Sequence, residues 1–261
     1  ISTIHVINEK PDFLIISLWK SCLSAYLISL INPRTKFILF LHLPKSINLF
    51  DYLFTKIISK KAFEIWGDSN ETLNKRCEEL SIPSSIKKRK ISFIKKKLNF
   101  SSGEKKPLFN FIYWGRIHKQ KRIDKAIKLL SRIKMNNIKD PKLLIIGPDC
   151  GELENLKKLV NELKLFKNIE FQSSMEFKNI CKLTKDFTFF IQLSDFEGMG
   201  MSVVESMQLG LIPIVSNVGE IAKYCSNGNN SIIFKNYNKT TKEIISLLEN
   251  PDQFILLQEN S

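Results

Sequence analysis

Two stretches of the chain hold residue types suited to a phosphorylated ligand. The first is Gly115-Arg116-Ile117-His118-Lys119-Gln120-Lys121-Arg122. A glycine lets backbone come close to a ligand. Arg116 offers a planar fork of donors for phosphate, and Lys121 a mobile point charge. Each charge-assisted hydrogen bond is worth roughly 1.5–3 kcal/mol net, so the two could hold a diphosphate. Locally, the stretch also reads as a plain basic surface loop. It is not a Walker loop, because no G-x-x-x-x-G-K-[ST] occurs. The second stretch runs from Ser194 to Glu205 as SDFEGMGMSVVE. Gly198 and Gly200 would let backbone N–H groups face a ligand closely. The helix that follows would aim its positive end at the same place. Glu197 sits in the loop, and Glu205 stands eight residues on, in the first turn of that helix. A structural reading competes here too. Ser202-x-x-Glu205 is a capping-box pattern, and Glu197 could be a plain exposed carboxylate.

Both stretches follow short apolar runs, so the elements around them decide what they can do. Strands are expected at 13–17, 36–41, 63–66 and 91–94, with helices at 23–31, 48–60 and 71–80 between them. The segment 99–107 (NFSSGEKKP) has linker composition. The pattern then restarts. Strands are expected at 109–114, 142–146, 169–171, 187–192, 212–216 and 232–234. Helices are expected at 122–135, 152–163, 175–183, 202–209 and 240–248. Buried strands alternating with helices predict parallel sheets covered on both faces. The restart predicts two domains, 1–100 and 101–261. In open α/β sheets ligands bind beyond the carboxyl ends of strands, where both candidate loops fall.

Taken together and in this order, the loops resemble the retaining, nucleotide-sugar-dependent glycosyltransferases of family four. FIYWGRIHKQKRIDKAIKLL looks like the family's opening strand, G-R loop and following helix. KLLIIGPDCGELENLKKLV looks like the next strand-turn-helix, and DFEGMGMSVVESMQLGLIPIVSNVGEI like the E-x7-E segment. The resemblance covers nearly the whole second half. It implies an α/β GT-B fold of two Rossmann-like parallel-sheet domains, the first an incomplete acceptor-side domain and the second the donor-binding one. It implies that Arg116 and Lys121 bind the donor's diphosphate, with Gly115 beside them. Glu197 would bond hydroxyls of the transferred sugar. The backbone at Gly198, Met199, Gly200 and Met201 would contact sugar and phosphate, and Glu205 would hold the ribose. Arg122 stands where the family usually has Gly. His42, after the strand at 36–41, is a candidate cleft residue, although a lone His is more often structural. The implied reaction moves a sugar from a nucleoside-diphosphate sugar to an acceptor hydroxyl with retention, in bacterial surface polysaccharide or glycolipid synthesis. The alternative is a non-catalytic or truncated transferase-like partner protein. The nucleotide sugar is a substrate, no cofactor is expected, and no Asp-x-Asp metal motif occurs.

Composition narrows the remaining classes. The chain has 261 residues, 43% hydrophobic and 25% charged, which is globular usage. Its net charge is +14, and residues 1–100 hold 17 Lys/Arg against 8 Asp/Glu. The densest basic run spans 87–97 (KKRKISFIKKK). Such a run is either a solvated surface or a contact for anionic lipid or nucleic acid. Without a zinc finger, aromatic RNA-binding signature or clear helix-turn-helix, no nucleic-acid partner is expected. Cys22, Cys77, Cys150, Cys181 and Cys225 are scattered, with no zinc spacing, and read as reduced and mostly buried thiols. No apolar run approaches the roughly 20 residues of a membrane span, and no basic-then-apolar leader opens the sequence. The expectation is a cytoplasmic protein acting at the inner face of the cytoplasmic membrane, on a saccharide or lipid-linked acceptor. The opening Ile1 and the short ends, measured against the family, suggest a fragment or a processed product.

Overall fold

The computed structural model describes residues 3–91, 107–138 and 140–261. The chain divides into two compact units, 1–93 and 94–261. The expected boundary at 100 and the expected linker at 99–107, apart from Pro107, lie outside the described residues.

The first unit begins with helix α1 (Thr3–Glu9) and then alternates strand and helix: β1 (Phe13–Ser17), α2 (Leu18–Ile31), β2 (Lys36–Leu41), α3 (Leu49–Ser59), β3 (Glu64–Gly67), α4 (Asn70–Glu79) and β4 (Lys87–Lys90). The strands are parallel in the order β1-β2-β3-β4, with Ile15 opposite Ile38 and Leu39 opposite Ile65. Ile16, Phe37, Leu39, Leu41 and Ile65 form the core with Ile28 and Ile58 from the helices. Asn48 and Ser69 cap α3 and α4, each side chain accepting a backbone N–H three residues on. A buried polar knot fixes the loop after β2. Arg76 of α4 pairs with Asp51 at 2.8 Å and bonds Ser46 and Glu79, while Ile47 N–H donates to Asp51.

The second unit holds β5 (Asn110–Trp114), α5 (Ile123–Met135), β6 (Lys142–Ile146), α6 (Leu153–Glu162), β7 (Ile169–Gln172), α7 (Phe177–Leu183), β8 (Phe189–Gln192), α8 (Met201–Gln208), β9 (Ile212–Val215), α9 (Ile221–Tyr224), β10 (Ile232–Ile233), α10 (Tyr237–Glu249) and α11 (Pro251–Glu259). Its parallel sheet runs β10-β9-β8-β5-β6-β7. Both faces are apolar. Phe111, Tyr113, Leu143 and Ile145 pack one way, and Ile112, Trp114, Leu144 and Ile146 the other. The chain moves outward from β5 to β7, then returns to the opposite side of β5 with β8. A crevice opens at such a reversal, and the two loops flanking it follow β5 and β8. These are the two candidate loops.

Two expectations are corrected here. The strand expected at 91–94 forms earlier, as β4 at Lys87–Lys90, and 92–94 lie outside the described residues. The first four residues of the basic run are therefore an edge strand. Lys87 and Arg89 reach the Glu64 carboxylate at 3.1 and 3.2 Å, and this pairing offsets the charge repulsion along the strand. α2 starts at Leu18 rather than 23, so the helix takes in Trp19 and Lys20. Helices α1, α9 and α11 add to the expected set. α11 carried a legible signal, since Pro251 is its first residue and Asn250 caps it by accepting from Gln253 N–H.

Candidate active site

The loop after β5 is shaped by close backbone contact with the loop after β6. Gly115 N–H donates to Ile146 O at 3.0 Å, and Ile117 N–H donates to Pro148 O at 2.9 Å. A Cβ on Gly147 would lie 1.8 Å from Gly115 O, so the approach requires glycine there. Tyr113 donates its hydroxyl to Arg116 O at 2.9 Å, and burial holds its phenol well above the ordinary range, so it remains a donor. Arg116 is exposed, and its guanidinium makes no hydrogen bond or ion pair among the described residues. The segment Lys119–Lys121 is a 3₁₀ turn, whose N-cap His118 accepts from Gln120 N–H.

Arg122 closes the loop in the left-handed region, at φ 48° and ψ 44°. That region suits glycine and costs other residues about 1–2 kcal/mol. The extra charge is used at once. Its guanidinium bonds Asp124 at 2.9 and 3.0 Å and Asp195 at 3.0 Å, and these bonds raise its pKa further. The departure from glycine thus leaves the loop's backbone in a glycine-like shape and adds a link to the second loop.

The loop after β8 rests on the segment 219–224. Glu220 N–H donates to Gly198 O at 3.0 Å, and the Tyr224 hydroxyl donates to Met199 O at 2.7 Å. A Cβ on Gly219 would meet Glu197 O at 2.1 Å, and φ there is +59°. Gly200 is the N-cap of α8 in the left-handed region, pressed against Ile221 and Tyr224. Among the described residues the backbone N–H groups of Gly198, Met199 and Gly200 donate no hydrogen bond. The chain therefore presents free donors at the start of a helix whose dipole favours an anion.

Lys121 and Glu197 meet across the crevice. Lys121 Nζ lies 2.6 Å from Glu197 Oε1, with side-chain exposures of 13% and 9%. Gln192, the last residue of β8, donates its side-chain N–H to the same oxygen at 3.0 Å and accepts from Ser202 Oγ at 2.6 Å. Ser202 is thus occupied inside α8 and does not cap it. Glu205 lies past the first turn rather than in it as expected, and the competing capping-box reading is not realised. Instead Glu205 Oε2 accepts from the indole N–H of Trp114, at the end of β5, at 3.0 Å. The loops are further tied by Gln120, which donates to Phe196 O at 2.7 Å and accepts from Asp195 N–H at 3.0 Å.

The structure therefore brings Gly115, Arg116, Lys121, Glu197, the 198–201 backbone and Glu205 to one switch point. Sequence reasoning missed Gln192, Trp114, Asp195 and Gly219. Gln192 had a signal, being polar at the end of an apolar strand that feeds the loop. Gly219 had none that separates it from any loop glycine. His42 belongs to the first unit. It follows β2, packs edge-on against Phe40 at 4.1 Å, and burial lowers its pKa against the opposing pull of Asp68. Four of the five cysteines are buried and only Cys150 is exposed; none forms a disulfide among the described residues. No helix is long and apolar enough to cross a membrane among the described residues.

The chain is similar to known proteins in sequence and in fold. GDP-mannose:cellobiosyl-diphosphopolyprenol alpha-mannosyltransferase of Xanthomonas campestris is 28% identical over 134 residues, 50% of this chain and 34% of the relative. The enzyme of the same description from Xanthomonas oryzae pv. oryzae matches to the same extent. The match thus spans about a third of the length of these curated relatives. Among solved structures, S. aureus TarM, a mutant with fondaparinux, alpha-GlcNAc-glycerol and UDP, superposes with TM-score 0.81 at 17% identity, covering 98% of this chain and 53% of that one. Anabaena HepE with UDP-glucose gives TM-score 0.80 at 14% identity, covering 99% and 75%. These likenesses carry the fold, two Rossmann-like parallel-sheet parts of the GT-B kind. The family described as "Glycosyl transferases group 1" matches residues 94–260, more than half of the sequence, and the chain belongs to that family.

Proposed function

We propose that the protein transfers a sugar, with retention, from a nucleoside-diphosphate sugar to an acceptor hydroxyl. The observation that carries this reading is the buried Lys121–Glu197 pair at the switch point, with Arg116 exposed on the same loop as Lys121. Arg116 and Lys121 bind the diphosphate. Glu197 accepts hydrogen bonds from hydroxyls of the transferred sugar, and Glu205, held by Trp114, accepts from the ribose. The acceptor oxygen attacks the anomeric carbon as the bond to the diphosphate oxygen breaks, and the acceptor's proton passes to the departing phosphate on the same face. Charge building on the leaving group is stabilised by Arg116, Lys121 and the free amides at Gly198–Gly200, in place of a metal ion. The E-x7-E pair is then Glu197 and Glu205, one for each end of the donor.

The acceptor reading draws on the Xanthomonas relatives, whose description names a diphosphopolyprenol-linked acceptor. By the same likeness, we assign the protein to surface polysaccharide or glycolipid synthesis at the inner face of the cytoplasmic membrane. His42 would lie on the acceptor side.

Calorimetric titration of UDP and GDP into the chain tests the reading. One of the two is expected to bind, and Arg116→Ala or Lys121→Ala is expected to weaken it by about 10-fold to 100-fold, the worth of one charge-assisted hydrogen bond. Binding that neither replacement changes would place the donor elsewhere. A folded chain that binds neither nucleotide would favour the non-catalytic partner reading.

A further inference from the structure

Each glutamate of the candidate site is held by a neutral donor at the end of a strand. Glu197 Oε1 accepts from Gln192, the last residue of β8. Glu205 Oε2 accepts at 3.0 Å from the indole N–H of Trp114, the last residue of β5. A glutamate on a helix has several rotamers open to it, and choosing one costs side-chain entropy. Trp114 makes that choice for Glu205, because Trp114 itself cannot move. Its side chain is buried in the apolar layer with Ile112, Ile146 and Val203. Its ring centroid lies 4.4 Å from that of Phe190 on β8, with the planes tilted by 58°. Close packing of so large a ring fixes where its N–H points. A buried indole nitrogen only donates and requires an acceptor. A phenyl ring would serve the apolar layer without making that bond, so the N–H is what tryptophan adds there.

Trp114 stands directly before Gly115 and two residues before Arg116. The strand that leads into the Arg116 loop therefore also sets the carboxylate of α8. A ribose and the phosphate on its 5′ carbon are joined by a short covalent link. A site that reads both needs its two readers at a set separation, and one strand end supplies it.

We propose that Trp114 is a positioning residue that makes the site select ribose over deoxyribose, by fixing the Glu205 carboxylate against the Arg116 loop. The inference rests on the reading of Glu205 as the ribose partner and adds the residue that gives the discrimination. A hydroxyl reader fixed in place rejects an analogue that lacks the hydroxyl, whereas a loose one adapts to it. Calorimetry with three ligands tests this: UDP or GDP, the 2′,3′-dideoxy form of the same nucleotide, and inorganic pyrophosphate. The parent chain is expected to prefer the ribose form by about tenfold or more, the worth of one charge-assisted hydrogen bond. Trp114→Phe should narrow that preference to about threefold or less and leave the other two affinities unchanged. Glu205→Ala should remove the preference, and adding Trp114→Phe to it should change the ratio no further. A second measurement needs no change at Trp114. Trp19, Trp66 and Trp114 are the three tryptophans of the chain, so indole ¹⁵N labelling gives three N–H signals. One should move in Glu205→Gln, and in the parent the same one should move with the ribose nucleotide but not with pyrophosphate. The inference alone is overturned if folded Trp114→Phe keeps the parent's preference, if it loses all three ligands alike, as a purely structural role would require, or if no indole signal answers to both Glu205→Gln and the ribose nucleotide. A parent that binds the nucleotide without preferring ribose overturns the role of Glu205 as well. A folded parent that binds neither nucleotide nor pyrophosphate overturns the donor-site reading beneath both.

Discussion

Arg122 offers a test in which the sign alone decides. At an ordinary helix or strand position glycine is less stable than alanine by about 0.5–1 kcal/mol, because it loses more backbone freedom on folding. At 122 the backbone is left-handed, which burdens any residue with a Cβ by about 1–2 kcal/mol. Both replacements forfeit the bonds to Asp124 and Asp195, whose partly exposed side chains make each pair worth about 0.2–1 kcal/mol. That loss is common to the two and cancels. Only the backbone term differs, so Arg122→Gly should be the more stable by about 0.5–1 kcal/mol, the reverse of the usual order. In a domain of this size that separates the melting temperatures by about 1–4 °C. Calorimetric melting of the two variants side by side reads it. If Arg122→Ala melts at or above Arg122→Gly, the left-handed backbone is not present in solution, and the account of how this loop keeps a glycine-like shape is wrong.

Other outcomes are equally specific. Gly219→Ala should destabilise the protein by about 3 kcal/mol and weaken nucleotide binding, because its Cβ would collide with Glu197 O at 2.1 Å; the paired readouts are melting and calorimetry. Thiol titration of the folded chain should show one fast group, Cys150, and five after denaturation, since burial pushes Cys22 and Cys225 up to about 11 and shields all four buried thiols. Glu197→Gln should tighten UDP or GDP binding several-fold by releasing Lys121, while slowing transfer, because the amide keeps the size of the side chain and loses its charge.

The fold was legible wherever buried strands alternate with helices. KFILFL and KLLII are strands within the expected limits, because runs this apolar and this short are stable only inside a sheet covered on both faces. β4 was misplaced for the same reason. KKRK has no apolar residue, and its pairing depends on Glu64, 23 residues before it, which no local pattern reveals. In the candidate site, the charged residues that the two loops contribute, Arg116, Lys121 and Glu197, were legible as types. Their supports were not, because Gln192, Trp114 and Gly219 act through contacts made only when β5, β8 and the 219–224 segment lie side by side. Ser202 and Glu205 show how a local rule can mislead. They have capping-box spacing, yet Gly200 takes the cap position and each carries a tertiary bond instead.

The arrangement of charges explains how one site can be both stable when unliganded and receptive. A lysine as buried as Lys121 needs a partner, and Glu197 supplies one at 2.6 Å. Arg116 is exposed and is not tied into the fold in this way, so on the proposed function it is the cation that an incoming diphosphate meets first. On the proposed function, the phosphate then replaces Glu197 as the partner of Lys121, and the exchange leaves Lys121 paired throughout. Glu197 does not swing away when released. Gln192 still donates to it, and Ser202 fixes Gln192 from the first turn of α8. The carboxylate therefore stays poised for sugar hydroxyls at the moment the diphosphate arrives. A nucleoside diphosphate without its sugar gains the lysine but leaves Glu197 without that second partner, so the intact donor should bind more tightly than the nucleotide alone.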